Sequence, residues 1–243
     1  MSATADPRSG RLPAGEVRDM FDRIAPRYDL LNRVMTAGLD GRWREAAAAA
    51  ADVAAGGSAI DVCTGTGDLA LALARRVTPT GRVLGVDFAE NMLEIGRAKA
   101  AGRGEHVEFV AGDALALPAQ DDSFDAATVA FGIRNVSDLD GALAEMARVV
   151  RPGGKVVILE ITTPRRLRAF YHAWFDRVVP LLGKVLGRDG DAYGYLPASV
   201  RRFPEPPELA RRMHLAGLED IRWRPFAAGI IALHHGRVPS SPR

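Results

Sequence analysis

Three aspartates at the ends of apolar segments are the residues of this sequence best placed to bind a ligand. Asp61 and Asp87 each lie at the end of a short apolar run, and Asp113 directly follows a third run. The carboxyl ends of parallel strands meet at one edge of a sheet, so we expect these three carboxylates to lie close together. Ionised carboxylates accept hydrogen bonds from hydroxyl and amino groups. The pattern therefore predicts a site for a cofactor that contains adenosine.

The turn Gly65-Thr66-Gly67 follows the first apolar run and precedes a predicted helix. Glycines there let the backbone approach a ligand closely. Asp87 follows Gly67 by 20 positions (87 − 67), the spacing that places an acid beside a ribose. Dinucleotide sites share this pattern, but the carboxylate of Asp61 would repel a pyrophosphate and attract the ammonium group of S-adenosylmethionine. We therefore predict S-adenosylmethionine rather than a nicotinamide dinucleotide.

The acids and their neighbours can be assigned to parts of that cofactor. Asp87 is expected to accept hydrogen bonds from both ribose hydroxyls. Asp113 is placed to accept from the exocyclic amine of adenine, and the Ala114 amide to donate to a ring nitrogen. A Gly-x-Gly turn by itself is often only a tight turn, but the three acids together favour a binding site. Cys63 is interpreted as a small apolar residue packed under the loop rather than as a reactive thiol.

Apolar strands that alternate with helices predict an α/β fold with a mostly parallel sheet. The connections between these strands are expected to be right-handed crossovers. A short connection, Ala227-Ala228, joins the last two strands, which must therefore be antiparallel. The predicted strands are 58–63, 82–87, 106–111, 124–130, 154–161, 219–226 and 229–237, with helices near 67–77, 89–102, 138–149 and 208–216.

Further helices and an insertion are predicted around this sheet. A helix over 16–37 is expected to be kinked or split at Pro26. A second helix, capped by Asp40, is expected to end at Gly56-Gly57. We predict a disordered tail, a single domain, and a helical lid insertion that covers the cofactor edge of the sheet. The boundaries are 1–15 for the tail, 16–243 for the domain, 16–55 for its N-terminal helices and 162–207 for the lid.

The composition excludes several classes of protein. A net charge of +2 and a pI near 8.9 are too mild for nucleic-acid binding. The single cysteine excludes an internal disulfide and fits a reducing compartment. No apolar run approaches the roughly 20 residues that span a bilayer, the first residues lack the apolar core of a signal peptide, and no ligand cluster indicates a metal. We expect a cytoplasmic protein; peripheral contact with the inner face of the membrane and a homodimer both stay open.

The motifs also resemble those of known enzymes. The segment 61–68, Asp87, the segment 112–118 and the segment 123–125 resemble class I S-adenosylmethionine-dependent methyltransferases. More narrowly, residues from about 17 to 237 resemble the quinone C-methyltransferases of menaquinone and ubiquinone synthesis. This narrower resemblance is carried by Tyr28-Asp29-Leu30-Leu31-Asn32, Phe131-Gly132-Ile133-Arg134-Asn135-Val136, Arg148-Val149-Val150-Arg151-Pro152-Gly153-Gly154, Tyr193-Gly194-Tyr195-Leu196-Pro197 and Gly229-Ile230-Ile231-Ala232-Leu233-His234.

The resemblance implies a Rossmann-like class I methyltransferase fold with a seven-stranded sheet, N-terminal helices and a lid. It implies methyl transfer from S-adenosylmethionine, with S-adenosylhomocysteine as product, to a ring carbon of a demethylmenaquinol, which is a polyprenyl quinol. One alternative is the sister reaction on 2-methoxy-6-polyprenyl-1,4-benzoquinol, and another is a different small aromatic acceptor. A nicotinamide dehydrogenase and a non-catalytic cofactor-binding module are the rivals from other classes.

The resemblance also assigns the acceptor side of the site. Arg134 and Asn135 are expected to face the cleft as catalytic residues, with Arg134 stabilising a phenolate or ordering a water that takes the ring proton. The alternative for Arg134 is a structural salt bridge to a nearby carboxylate. Tyr28, Tyr193 and Tyr195 are expected to contact the flat quinol ring; the alternative for Tyr193 and Tyr195 is packing in the core or lid.

Some positions depart from the usual residues of that family, and others have weaker claims to a role. Asp40 stands where the family usually has histidine, and Ala130 where it has a serine that contacts the cofactor. Asp29, His172 and His214 are secondary candidates, with local pairing, surface exposure or packing as the alternatives. We expect transient membrane docking at the apolar helix 170–182. A solvated helix face is the favoured interpretation, and contact with an anionic membrane surface the alternative, for Arg165, Arg166, Arg168, Arg201, Arg202, Arg211 and Arg212.

Overall fold

Seven strands form one sheet in the computed structural model, which describes residues 12–77, 80–164 and 190–240. They are β1 (Ser58–Val62), β2 (Arg82–Asp87), β3 (Glu108–Ala111), β4 (Phe124–Ala130), β5 (Val150–Ile161), β6 (Glu219–Phe226) and β7 (Ile231–Arg237). Their order is β3-β2-β1-β4-β5-β7-β6. The first five are parallel, and β7 is antiparallel to both neighbours. The predicted Rossmann-like α/β fold with its terminal antiparallel hairpin is confirmed.

The α-helices of the described residues lie around this sheet. Leu69, Leu71 and Leu73 of the third helix are fully buried because that helix packs between strands β1 and β2 and the second helix. None of the described helices is both long and apolar enough to cross a membrane. The helices are α1 (Ala14–Met35), α2 (Asp40–Ala51), α3 (Asp68–Val77), α4 (Glu90–Arg103), α5 (Leu139–Val149), α6 (Gly190–Arg202) and α7 (Pro206–Leu215).

The two N-terminal helices differ in detail from the prediction. Helix α1 continues through Pro26, because Val17, Met20 and Leu31 on both sides of the proline are buried in the core. Helix α2 is preceded by Leu39 as its N-cap, and Asp40 is its first residue rather than its cap. It ends at Ala51, where Asp52 takes a left-handed φ of 55°, and not at Gly56-Gly57.

The strand that neighbours the hairpin also begins earlier than predicted. Val150 already pairs with Phe124, and the register then shifts before the regular ladder starts at Lys155. A Cβ on Gly154 would lie 2.5 Å from the carbonyl oxygen of Asp125, so only glycine fits this bulge. Of the predicted lid, 162–164 and 190–207 are described, whereas the apolar helix 170–182 and His172 lie outside the described residues.

Candidate active site

A cavity of about 290 Å³ lies at the carboxyl edge of the parallel strands, beneath α1. The ends of β1 and β2 and the loop after β3 contribute Asp61, Asp87 and Asp113 to its wall. Helix α1 contributes Tyr28, and α2 contributes Arg44. The predicted convergence of the three acids therefore occurs, at the edge where ligands bind in open α/β sheets.

Asp61 is held beneath the glycine turn by two hydroxyl groups. Its Oδ2 accepts a hydrogen bond from Thr64 Oγ1 at 2.7 Å, and its Oδ1 accepts one from Thr128 Oγ1 at 2.7 Å. Burial raises the pKa of Asp61 to about 6, although both hydroxyl groups oppose that rise. A cation at this end of the cavity would favour the ionised form of the carboxyl group.

Asp87 joins the glycine turn to the end of β2. Its Oδ2 accepts from the Gly65 amide at 2.8 Å, and its Oδ1 accepts from the Ala89 amide at 3.0 Å. Burial raises the pKa of Asp87 to about 6, against these amide bonds. Gly65 has a φ of +54° and lines the cavity. Each carboxylate oxygen has a second lone pair, so Asp87 can still accept ribose hydroxyls from the cavity.

The loop after β3 forms the far end of the same wall. Asp113 Oδ1 accepts a hydrogen bond from the Leu115 amide at 2.9 Å, which fixes the turn. Asp113 and Ala114 both line the cavity, together with Phe88 and Met92. An apolar slot edged by one acceptor suits a flat base such as adenine, so the donor set of this wall fits the predicted cofactor.

The two glycines of the turn have different roles. Gly65 lines the cavity, as expected for close approach to a ligand, but Gly67 does not. A Cβ on Gly67 would lie 2.6 Å from Cζ of Phe109, and its φ is +81°. Gly67 is therefore required by the packing of Phe109 and by backbone conformation, and its assignment to the cofactor stays a prediction.

Helix α1 is tied to the glycine turn by a partly buried clasp. Thr66 Oγ1 donates to Asp29 Oδ1 at 2.6 Å, and Lys99 Nζ lies 2.9 Å from Asp29 Oδ2. Lys99 also pairs with Asp68. Asp29 therefore forms an ion pair, as its alternative assignment predicted, but its partners Thr66 and Lys99 are distant in the sequence rather than local. The adjacent Tyr28 lines the cavity, and burial raises the pKa of its hydroxyl.

Arg134 forms a buried ion pair instead of facing the cleft. Its Nη1 lies 2.7 Å from Glu160 Oε1, and the two side chains are only 7% and 1% exposed. The same guanidinium donates to the carbonyl oxygen of Phe131. Arg134 is absent from the cavity wall, and the structure shows the salt bridge that was its alternative assignment, whereas its catalytic role stays a prediction. Burial raises the pKa of Glu160, and Arg134 opposes that rise.

Asn135 does reach the cavity, as predicted. It lies in the short 3-10 turn Ile133–Asn135 after β4 and lines the wall. Its Oδ1 is buried and accepts no hydrogen bond from the described residues. A buried acceptor without a partner is costly, and the described residues provide none for this oxygen.

The model of the ubiE/COQ5 methyltransferase family matches residues 10–238. The chain belongs to this family. The resemblance found in the sequence is confirmed, and with it the predictions of a methyltransferase and of S-adenosylmethionine as its cofactor.

Named relatives cover almost the whole of this family member. A demethylmenaquinone methyltransferase of Roseiflexus castenholzii is 48% identical, over 90% of this chain and 92% of the relative. A demethylmenaquinone methyltransferase of Thermus thermophilus is 46% identical, over 90% of this chain and 100% of the relative. A Geobacter sulfurreducens protein, ubiquinone/menaquinone biosynthesis C-methyltransferase UbiE, is 44% identical, over 90% and 87%.

Solved structures share the fold at lower identity. The cyclase SpnF has a TM-score of 0.70 and 19% identity, over 93% of this chain and 96% of that one. A methyltransferase of Thermotoga maritima has a TM-score of 0.64 and 20% identity, over 90% and 98%. Because one of these proteins is a cyclase, the fold alone does not assign the reaction, which has to be argued from the site.

Tyr195 is the tyrosine of α6 whose side chain is described, and it does not reach the cavity. Tyr195 is 3% exposed and packs against Val17, Met20 and Leu31 of α1. It is absent from the cavity wall, so the structure supports its packing alternative. The side chain of Tyr193 lies outside the described residues.

Arg44 is a cavity residue that the sequence reasoning missed. It is 6% exposed, and its Nη1 donates to Asp40, which also accepts a hydrogen bond from Thr36 Oγ1 at 3.1 Å. Its Cζ lies 5.2 Å from the ring centroid of Phe131. Asp40 therefore has a structural role as the partner of Arg44. The i,i+4 spacing of Asp40 and Arg44 was the sequence signal for this pair. For the other buried pair, the signal was Glu160, a single carboxylate within an apolar strand that needs a cationic partner such as Arg134.

Two residues at the cavity have left-handed backbones without being glycine. Cys63 has a φ of 52° and Phe131 a φ of 60°. Burial, followed by the charge of Asp87, raises the pKa of the Cys63 thiol well above its usual range. The thiol thus stays protonated, which supports the packing interpretation. Among the described residues, no three His, Cys, Asp or Glu side chains are arranged to hold a metal.

Proposed function

We propose that this chain transfers a methyl group from S-adenosylmethionine to a ring carbon of a demethylmenaquinol, which yields a menaquinol. The observation that carries the proposal is one cavity lined by the acids of β1, β2 and the loop after β3, and also by Tyr28 and by Asn135, whose amide oxygen has no partner among the described residues. The relatives from Roseiflexus castenholzii and Thermus thermophilus carry the name of this activity at 48% and 46% identity.

The acids hold the cofactor in a single direction. Asp113 and Ala114 take the adenine, Asp87 takes the ribose hydroxyls, and Asp61 takes the ammonium group through the glycine turn. When bound, the cofactor supplies an activated sulfonium methyl group. Because Asp61 and Asp113 lie on opposite sides of Asp87 in the sheet, this order points the sulfonium towards the turn that contains Asn135.

The acceptor wall aligns the quinol ring. The Oδ1 of Asn135 accepts a hydrogen bond from a ring hydroxyl and fixes the carbon that receives the methyl group; such alignment supplies much of a methyl-transfer rate. Arg134 is a positioning residue in this scheme. Its guanidinium binds the carbonyl oxygen of Phe131 and the carboxylate of Glu160, and these contacts fix the turn that carries Asn135. The aromatic ring of Tyr28 packs beside the acceptor.

A second candidate acceptor is the methoxy-benzoquinol of ubiquinone synthesis. The name of the Geobacter sulfurreducens relative includes both quinones, at 44% identity. The walls described above contact a quinol hydroxyl and an aromatic face, and both ring systems provide these groups. Both quinols therefore belong in the first assay.

A polyprenyl quinol is a membrane lipid, and the end of α1 together with the loop after it offers a surface for transient contact with the inner face of the membrane. Leu30, Val34 and Leu39 are 57%, 43% and 40% exposed. Apolar residues in such an arrangement suit shallow insertion into the headgroup region. By contrast, Arg211 and Arg212 of α7 pair with nearby carboxylates, which favours the solvated-face alternative for those two residues.

The experiment is product mass after incubation with S-adenosylmethionine and chemically reduced demethylmenaquinone or methoxy-benzoquinone. A gain of one methyl group on the naphthoquinol supports the proposal, and Asp87→Asn should lose this product. Methylation of the benzoquinol alone would support the second candidate instead. If neither quinol gains mass while S-adenosylhomocysteine still binds, both acceptors are wrong.

A further inference from the structure

Arg44 is a buried cation that lines the cavity but has no role in the proposed reaction as described above. It is 6% exposed, and burying a charge is costly unless it is paired. Asp40 supplies one partner, at Nη1. A guanidinium carries five N–H donors in a planar fork, so one carboxylate on one edge does not satisfy it.

The remaining donors of Arg44 point to the cavity. Within the described part of the chain, Asp40 is its only hydrogen-bond acceptor, yet no nitrogen of Arg44 is among the buried unpartnered atoms. Those donors are therefore accessible, and Arg44 itself lines the cavity. The ring of Phe131, 5.2 Å from Cζ, covers one face of the guanidinium and fixes its plane.

The surroundings of Arg44 identify the group that it can bind. Its charge is felt by Asp61, where it acts against the rise in the pKa of that carboxyl group. A fixed cation and a buried anion at the same end of a cavity match an amino-acid zwitterion, in which an ammonium and a carboxylate share one carbon. Other cations nearby are engaged: Arg134 by Glu160, and Lys99 by carboxylates of the clasp.

We propose that Arg44 binds the carboxylate of the methionine part of S-adenosylmethionine, beside the ammonium group that Asp61 attracts. Asp40 and Phe131 are the positioning residues for its guanidinium. Planar guanidinium and carboxylate groups pair through two parallel hydrogen bonds, which fixes the amino-acid end of the ligand. The inference rests on the cofactor orientation in the proposed function, but it does not depend on the identity of the methyl acceptor.

The test compares three ligands that differ by defined groups. S-adenosylmethionine has the carboxylate and the ammonium, its decarboxylated form has only the ammonium, and 5′-methylthioadenosine has neither. Calorimetry on Arg44→Gln should show S-adenosylmethionine bound about 10- to 100-fold more weakly, as for a lost charge-assisted pair. The affinities for the other two ligands should change less than about threefold. Equal weakening of all three ligands would overturn the proposal.

Arg18 provides a matched control. It also lines the cavity, but its side chain is 53% exposed and lies near the start of α1. Arg18→Gln should leave all three affinities unchanged. A loss specific to S-adenosylmethionine in Arg18→Gln, with normal affinity in Arg44→Gln, would assign the carboxylate to Arg18 and overturn the proposal.

A second variant guards against misfolding. Arg44→Gln leaves the half-buried Asp40 without its cationic partner, whereas the double variant Arg44→Gln, Asp40→Asn leaves no unpaired charge. Retained affinity for 5′-methylthioadenosine reports a folded site. A folded double variant that still binds S-adenosylmethionine weakly supports the proposal, and one with wild-type affinity overturns it.

Turnover separates this inference from the proposed function. If S-adenosylmethionine binds normally to Arg44→Gln but turnover at saturating cofactor falls, Arg44 faces the acceptor and the inference is wrong. If the carboxylate-specific loss is found while neither quinol is methylated by the wild-type protein, the inference stands and the proposed acceptor is wrong.

Discussion

The two ends of the cavity are built in different ways. At the cofactor end, Asp87 and Asp113 are oriented by amides two residues further along the chain, those of Ala89 and Leu115. At the acceptor end, Arg134 pairs across 26 residues with Glu160. Because the hydrogen bonds at the cofactor end are short-range, a sequence motif predicts them. The ion pair at the acceptor end depends instead on which strands and helices become neighbours in the fold.

The largest expected effect tests whether Arg134 belongs to the fold or to the cleft. Arg134→Leu should lower the free energy of unfolding by about 3–5 kcal/mol, because Glu160 is left buried without a partner. Denaturant unfolding measures this, and adding Glu160→Leu should recover most of the loss. If the variant is as stable as the wild type and has lost only turnover, Arg134 is a catalytic residue that faces the cleft rather than a structural one.

The next effect tests the cofactor end. Asp87→Asn should weaken S-adenosylhomocysteine binding by about 100-fold, because two charge-assisted hydrogen bonds to the ribose are weakened. Calorimetry measures this, with Asp220→Asn on the exposed β6 strand as the control. Unchanged affinity in Asp87→Asn would mean that the ribose lies elsewhere.

A third prediction sharpens the acceptor end. Asn135→Ala should lower turnover at saturating cofactor by about tenfold, as for one lost hydrogen bond to the acceptor, and leave S-adenosylhomocysteine affinity unchanged. Steady-state kinetics and calorimetry together separate the two quantities. Loss of cofactor affinity without loss of turnover would move Asn135 to the other end of the cavity.

The raised pKa values of Asp61 and Asp87, both to about 6 against an ordinary 3.8, predict that cofactor binding depends on pH. A cationic ligand needs Asp61 ionised, so its affinity should fall as the pH drops below about 6, by about tenfold per unit for each carboxyl group. The free energy of unfolding of the ligand-free protein has the opposite pH dependence. The folded state holds more protons between about 4 and 6, so the free energy of unfolding decreases as pH rises through that interval.

Calorimetry over this pH range, in buffers of different ionisation enthalpy, counts the protons released on binding. Asp61→Asn should remove its share of the pH dependence. A flat affinity from pH 5 to pH 7 in the wild-type protein would show that neither carboxyl group changes its ionisation on binding.

The smallest effect concerns the clasp that ties α1 to the glycine turn. Asp29→Asn should lower the free energy of unfolding by about 1 kcal/mol, because the pair with Lys99 is partly exposed and screened by solvent. Hydrogen exchange should locate the change in α1. Exchange that increases throughout the sheet instead would show that the clasp supports the whole fold.

Much of the fold and part of the site followed from sequence pattern. Apolar strands alternating with helices predicted the parallel sheet, and the short Ala227-Ala228 connection predicted its antiparallel hairpin. A Gly-x-Gly motif does not show, however, that Gly67 packs against Phe109, because that contact forms only in the folded chain. The prediction also missed the first residues of β5, because Arg151 and Pro152 precede a bulge whose pairing only the neighbouring strand determines.

The sequence by itself determined the sheet, the cofactor class and the positions of Asp61, Asp87 and Asp113, because strand ends and their next residues are set by local pattern. Tertiary structure alone decided that Arg134 is locked to Glu160, that Tyr195 packs against α1, and that Arg44 reaches the cavity. Each of these depends on the charge or apolar surface that folding brings alongside a side chain, and a buried charge must take whichever partner is within reach.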